Sequence, residues 1–98
     1  MTTIQLRRYD IEPGRLDDFL AWWPSTLGAR AKYGFRIVFA YADAENDQFV
    51  WAVEHDGDFD AAEARYTASP ERAEAFAANP KVVKHMVVAK VRDVTPSV

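Results

Sequence analysis

Cysteine is absent from this chain, which removes disulfides, thiolate nucleophiles and sulfur-ligated metals and leaves packing to supply stability. Histidine occurs only twice, at His55 and His85, so a histidine-based metal or haem site has little to build on. Glycine is also scarce, with 4 residues, and none sits in a phosphate-cradling loop, a nucleophile elbow or a P-loop ahead of a lysine. Nucleotide-dependent and acyl-transfer chemistry are set aside on that ground. No apolar run approaches the roughly 18 residues that cross a bilayer, and the opening MTTIQLRRYD has no apolar core of a signal peptide. Lysine and arginine are scattered and the formal net charge is −3, so no basic stripe follows a phosphate backbone. The expectation is a cytoplasmic protein with no metal, no cofactor, and neither nucleic acid nor membrane as partner.

What is present suits a folded domain. Of the 98 residues, 49% are apolar and 28% charged, which excludes disorder and low complexity and is too short for a second domain. Residues 1–98 are therefore read as a single domain, and the abundance of alanine suggests a bacterial source.

Along the chain, residues 3–10 alternate, with Ile4 and Leu6 on one side and Gln5, Arg7 and Tyr9 on the other, the two-residue period of a strand. After Pro13-Gly14, Leu16, Phe19, Leu20, Trp23, Leu27 and Ala31 make one helical stripe, bent near Pro24 and capped by Gly34. FRIVFAYA at 35–42 and QFVWAVEH at 48–55 flank a polar turn and read as a hairpin. Asp58 caps a second helix, which breaks near Ser69-Pro70, restarts through Phe76 and stops at Asn79-Pro80. KHMVVAKVRDV at 84–94 is a fourth strand. The order β-α-β-β-α-β predicts an α+β ferredoxin-like sandwich, four antiparallel strands with both helices on one face.

Both faces of that sheet carry apolar side chains. Phe35, Ile37, Phe39 and Tyr41 are expected on one face of the second strand, with Val38, Ala40 and Ala42 on the other. In the fourth strand Val83, Val87 and Val91 oppose Val82, Met86 and Val88. A soluble monomer rarely exposes so large an apolar patch, so a second copy packed sheet to sheet is preferred, giving a homodimer. A monomer with a mixed open face, using Arg36, Lys84 and Lys90, is the alternative.

The stretch LRRYDIEPGRLDDFLAWW, residues 6–23, resembles the opening of the NIPSNAP family. Its Arg-x-Tyr strand, Pro-Gly and helix start fall here on Arg7, Tyr9, Pro13, Gly14, Arg15, Leu16, Asp17 and Phe19. The resemblance continues through Phe49 to Glu54, the acidic cap at Asp58 and Asp60, and SPER at Ser69 to Arg72, so in outline it spans nearly the whole chain. It implies the dimeric α/β-barrel superfamily. That superfamily includes cofactor-free monooxygenases, isomerases, cyclases, dehydratases, haem-degrading enzymes and regulatory ligand binders, among which fold does not choose.

Each candidate residue carries two readings. His55 follows Phe49, Trp51 and Val53 on one strand face and precedes Asp56 and Asp58. A carboxylate-oriented imidazole is a general base at neutral pH. The preferred reading is that His55, solvated, closes the strand while the aspartates start the helix. His85 is the preferred catalytic candidate, provided its face, shared with Val83, Val87 and Ala89, lines a cavity beneath the helices; otherwise it is a core histidine bonded to a carbonyl. Arg7 and Tyr9, with Arg36, either orient an anionic or carbonyl group of a ligand or bond across the dimer. Trp23, Phe39, Tyr41, Trp51 and Tyr66 either fill the core or line a cleft for a planar apolar molecule, with Trp22 turned toward its flank.

The leading expectation is thus a small homodimer that binds an apolar or aromatic metabolite between helices and sheet, acting on it without cofactor through His85 and tyrosine hydroxyls if it is an enzyme. The alternatives are a non-catalytic interaction or sensory module, or an accessory subunit of a neighbouring enzyme. An open cavity separates the first from a scaffold packed solid.

Overall fold

The computed structural model describes residues 1–97. Strand β1 (Thr2–Ile11) leads into α1 (Leu16–Trp22), a 3-10 turn (Trp23–Thr26) and α2 (Leu27–Lys32). The hairpin β2 (Phe35–Asp43) and β3 (Gln48–Asp56) follows, then α3 (Phe59–Thr67), α4 (Pro70–Phe76) and β4 (Val83–Val91). The sheet order is β2-β3-β1-β4 with every pairing antiparallel, so β1 and β3 are central and the fold is the ferredoxin-like βαββαβ sandwich.

Local chemistry explains the breaks in both helical segments. Pro24 has no N–H to give, and the chain tightens there into a 3-10 turn in which Ser25 Oγ donates to the Trp22 carbonyl and Thr26 Oγ1 to that of Trp23. Asp58 accepts from the Ala61 amide at 3.0 Å, and Ser69 accepts from the Arg72 amide at 3.1 Å ahead of Pro70. Each start thus satisfies a helix N–H that has no partner inside the helix.

Two irregularities set which side chains face the helices. In β2 the pairing slips between Ile37 and Phe39: Phe35 and Ile37 pair with His55 and Val53, but Phe39 and Tyr41 pair with Ala52 and Val50. The extra residue reverses the alternation. Phe35 and Ile37 therefore face the helices, whereas Phe39 and Tyr41 face away, stacked on each other with ring centroids 5.2 Å apart. This corrects the single face expected for all four. In β4 a slip at Lys84 places Val83 opposite Ile11, on the helix side, while His85 pairs with Asp10 and turns away with Val87, Ala89 and Val91. The set expected for His85 is split in the same way.

Beneath the helices the core is aromatic, with Phe19, Phe35, Phe49, Trp51, Phe59 and Tyr66 buried together with Ile11 and Val53. The opposite sheet face carries Leu6, Val50, Ala52, Phe39, Val87 and Ala89 across all four strands. No element of the described chain covers it, and Tyr41 and Val87 are 66% and 50% exposed. Arg8, Asp10, Arg36, Glu54 and His85 share this face, but its middle is apolar and uncovered, which is what a second layer would bury.

Candidate functional site

Between the helices and the β1–β3–β4 part of the sheet lies a cavity of about 340 Å³. Its apolar walls are Phe19, Trp22, Trp23, Trp51, Tyr66 and Phe76. Trp22 Nε1 donates to the Ala75 carbonyl at 2.8 Å, which fixes its ring edge-on to Phe76 at 5.0 Å and joins α1 to α4. Trp23 packs edge-on to Trp51 at 5.3 Å. These contacts hold large flat rings around an open volume, the surface a planar molecule needs.

Polar groups enter from β1, α2, α3 and α4. Arg7, on β1, donates from Nε to the Tyr9 hydroxyl and from Nη1 to Gln5 Oε1, both at 2.7 Å. The row Gln5, Arg7, Tyr9 thus bonds to itself, and it points under the helices, away from the uncovered sheet face where dimer contacts were one expectation. Arg30, on α2, is only 5% exposed; it donates to Glu63 Oε2 at 2.9 Å and lies 4.4 Å from the Tyr66 ring centre. Arg72, on α4, lies 3.9 Å over the Phe76 ring. Burial pushes the Tyr66 hydroxyl above its ordinary value, so it is a neutral donor at physiological pH.

Arg7, Tyr9, Trp23, Trp51 and Tyr66, all named from the sequence, meet at this cavity. Arg36, Phe39, Tyr41 and His85 do not: they lie on the uncovered face. Arg36 is occupied there, bonded to Glu54 at 3.1 Å and to both Asp56 oxygens at 3.0 and 3.1 Å. His85 is separated from the cavity by the thickness of the sheet, because the slip at Lys84 turns it outward. The cavity condition attached to His85 is not met.

His55 takes a role of its own. Its Nε2 lies 3.2 Å from the Tyr33 carbonyl and its ring packs on Phe35, so it is half-buried against the Tyr33–Gly34 turn instead of solvated. It closes the strand, and Asp58 starts the helix.

Arg30, Glu63, Arg72 and Phe76 were not singled out from the sequence, yet a signal was there. Glu63 falls four residues after Phe59 and three before Tyr66, on the buried face of α3, and Arg30 falls three after Leu27. A charged residue at a core position of a helix marks either a buried ion pair or a site. Here it marks both.

Among the described residues, no group of three or more His, Cys, Asp or Glu side chains is placed to hold a metal ion. No helix among them is long and apolar enough to cross a membrane.

No family model and no curated protein matches the sequence. Solved structures do match. A NIPSNAP domain protein from Burkholderia xenovorans superposes with a TM-score of 0.80 over 99% of this chain and 100% of its own, at 18% identity. A NIPSNAP family protein from Agrobacterium tumefaciens gives 0.82 over 97% and 92%, at 12% identity. This chain has the NIPSNAP fold. The same fold extends to a putative antibiotic biosynthesis monooxygenase from Nitrosomonas europaea, with a TM-score of 0.73 over 98% and 93% at 7% identity. At such identities the NIPSNAP likeness speaks for architecture and leaves chemistry to the side chains.

Proposed function

We propose that this protein is a bacterial, cytoplasmic homodimer that holds a planar apolar or aromatic small molecule in the cavity between its helices and its sheet. The observation that carries this reading is the cavity itself, about 340 Å³ walled by flat rings from both layers. A scaffold would fill that volume with side chains. The homodimer draws on the uncovered face that carries Leu6, Val50, Tyr41, Val87 and Val91, which a copy of itself would bury. Arg7, Tyr9, Trp23, Trp51 and Tyr66 are the ligand-binding residues in this reading.

Recognition is favoured over proton-transfer catalysis by what the cavity contains. The carboxylate at its wall, Glu63, is held by Arg30, and the Tyr66 hydroxyl keeps its proton. His85, the residue suited to a general base, belongs to the other sheet face. A ligand-responsive module or an accessory subunit therefore fits this site better than a proton-abstracting enzyme.

Calorimetric titration with two planar bicyclic probes, 2-naphthamide and 2-naphthoate, tests the reading. Saturable binding of at least one per protomer is expected, lost in Met86→Trp, which fills the cavity from its half-exposed β4 edge. If neither probe binds, or if Met86→Trp binds them unchanged, the cavity is not the site.

A further inference from the structure

The polar groups around the cavity are unbalanced. Arg7, Arg30, Arg72 and Lys81 line it against a single carboxylate, Glu63. That carboxylate is already bonded to Arg30. Among the described residues Arg7, Arg72 and Lys81 form no ion pair. The whole chain carries a net charge of −3, so this is a local excess of cations in an acidic protein. Exposed charges farther away than a Debye length of about 8–10 Å are screened, which leaves the lining to decide the potential inside.

Arg7 shows the excess most clearly. Its Nε and Nη1 are engaged with Tyr9 and Gln5, but Nη2 reaches the Met86 sulfur at 4.0 Å, a weak acceptor. Arg72 spends its guanidinium face on the Phe76 and Tyr66 rings, and its N–H edges meet no carboxylate. Lys81 holds a left-handed backbone, φ 57°, with its amide bonded to Asn79 Oδ1 at 2.8 Å, so the rim that carries its ammonium is fixed by local bonding. The indole N–H groups of Trp23 and Trp51 are buried without an acceptor. The region is rich in donors and short of acceptors.

We propose that the cavity's ligand is a planar aromatic acid, its rings held between the tryptophans and Phe76 and its carboxylate paired with Arg7 and Arg72. This deepens the binding reading above and rests on it. Rings recognise any flat apolar body, whereas unpaired guanidinium edges in a partly enclosed site discriminate by charge, since a carboxylate adds a full charge–charge attraction to the hydrogen bond that a neutral carbonyl also accepts. A neutral ligand would leave the cations desolvated without a counterion, and a cationic one would be repelled.

The experiment compares 2-naphthoate with 2-naphthamide at neutral pH, two probes of nearly equal shape and unequal charge, on wild type, Arg7→Met and Arg72→Met. Circular dichroism establishes that each variant is folded. The carboxylate is expected to bind wild type at least about tenfold more tightly than the amide, and each arginine variant to reduce that ratio toward one while changing amide affinity little. Arg72 lies on the half-buried helix α4 and keeps the test open should Arg7→Met fail to fold. Equal affinities in wild type, or a ratio unaltered in both variants, overturn the acid while the cavity reading stands. If neither probe binds, both fall.

Discussion

Arg30 and Glu63 join α2 to α3 through a 2.9 Å contact between Nη1 and Oε2, with the guanidinium enclosed and the carboxylate partly open to solvent. Three aromatic rings, Phe35, Trp51 and Tyr66, surround the cation at 5.1, 5.2 and 4.4 Å. Truncating Glu63 strands that charge in an apolar shell. Glu63→Ala is expected to cost about 1–3 kcal/mol, read as a lowered urea midpoint at constant m-value. An unchanged midpoint would mean that the rings and solvent alone satisfy Arg30.

Gly34 adopts φ 89°, and a Cβ built there would lie 2.9 Å from His55 Nε2. Two penalties therefore coincide, a left-handed backbone and a contact with a packed ring. Gly34→Ala should destabilise by about 2 kcal/mol. Gly28→Ala supplies the contrast: Gly28 lies within α2 with ordinary φ and open space around it, so stability should rise by about 0.5–1 kcal/mol. Thermal melts of both variants check the pair, and a Gly34→Ala loss that shrinks in a His55→Ala background assigns the contact.

Asp56 is held at about 2, below its ordinary 3.8, by the two-oxygen hydrogen bond from Arg36 and then by the Thr2 hydroxyl. Because the folded value is lowered, this contribution is complete above pH 3.8 and is lost as pH falls toward 2. Arg36→Gln should therefore lower the melting temperature at pH 6 more than at pH 2. Both groups are exposed, so the difference will be small. A constant difference across that range would show that Asp56 gains nothing from Arg36.

On the uncovered face, Leu6 and Val87 occupy β1 and β4. Replacing both by aspartate places charges where a second sheet would lie, yet leaves the helix-side core untouched. Sedimentation is expected to show wild type as a dimer and the double variant with a dissociation constant raised at least about tenfold, with unchanged secondary structure. A monomeric wild type would remove the homodimer from the account.

The elements were legible because their boundaries are set locally. Pro24, Asp58 and Ser69-Pro70 act on neighbouring amides, and each breaks or starts a helix where its own chemistry requires. The two strand slips were not legible, since an extra residue between Ile37 and Phe39 or at Lys84 exists only relative to the partner strand. Those slips carry Phe39, Tyr41 and His85 to the uncovered face. Arg36 lies on that face too, and its partners Glu54 and Asp56 were not legible because they reach it only across the hairpin. Arg7 and Tyr9 stood out because a polar row on a central strand demands partners; they bond to each other and line the cavity.

The account turns on which side of the sheet receives a small molecule, and heteronuclear NMR of the protein titrated with 2-naphthoate tests this most directly. The indole signals of Trp22, Trp23 and Trp51 are expected to shift with the ligand, while the backbone amides of Phe39, Tyr41 and His85 stay in place. Shifts concentrated on Phe39, Tyr41 and His85, or no saturable shift at any indole, would contradict it.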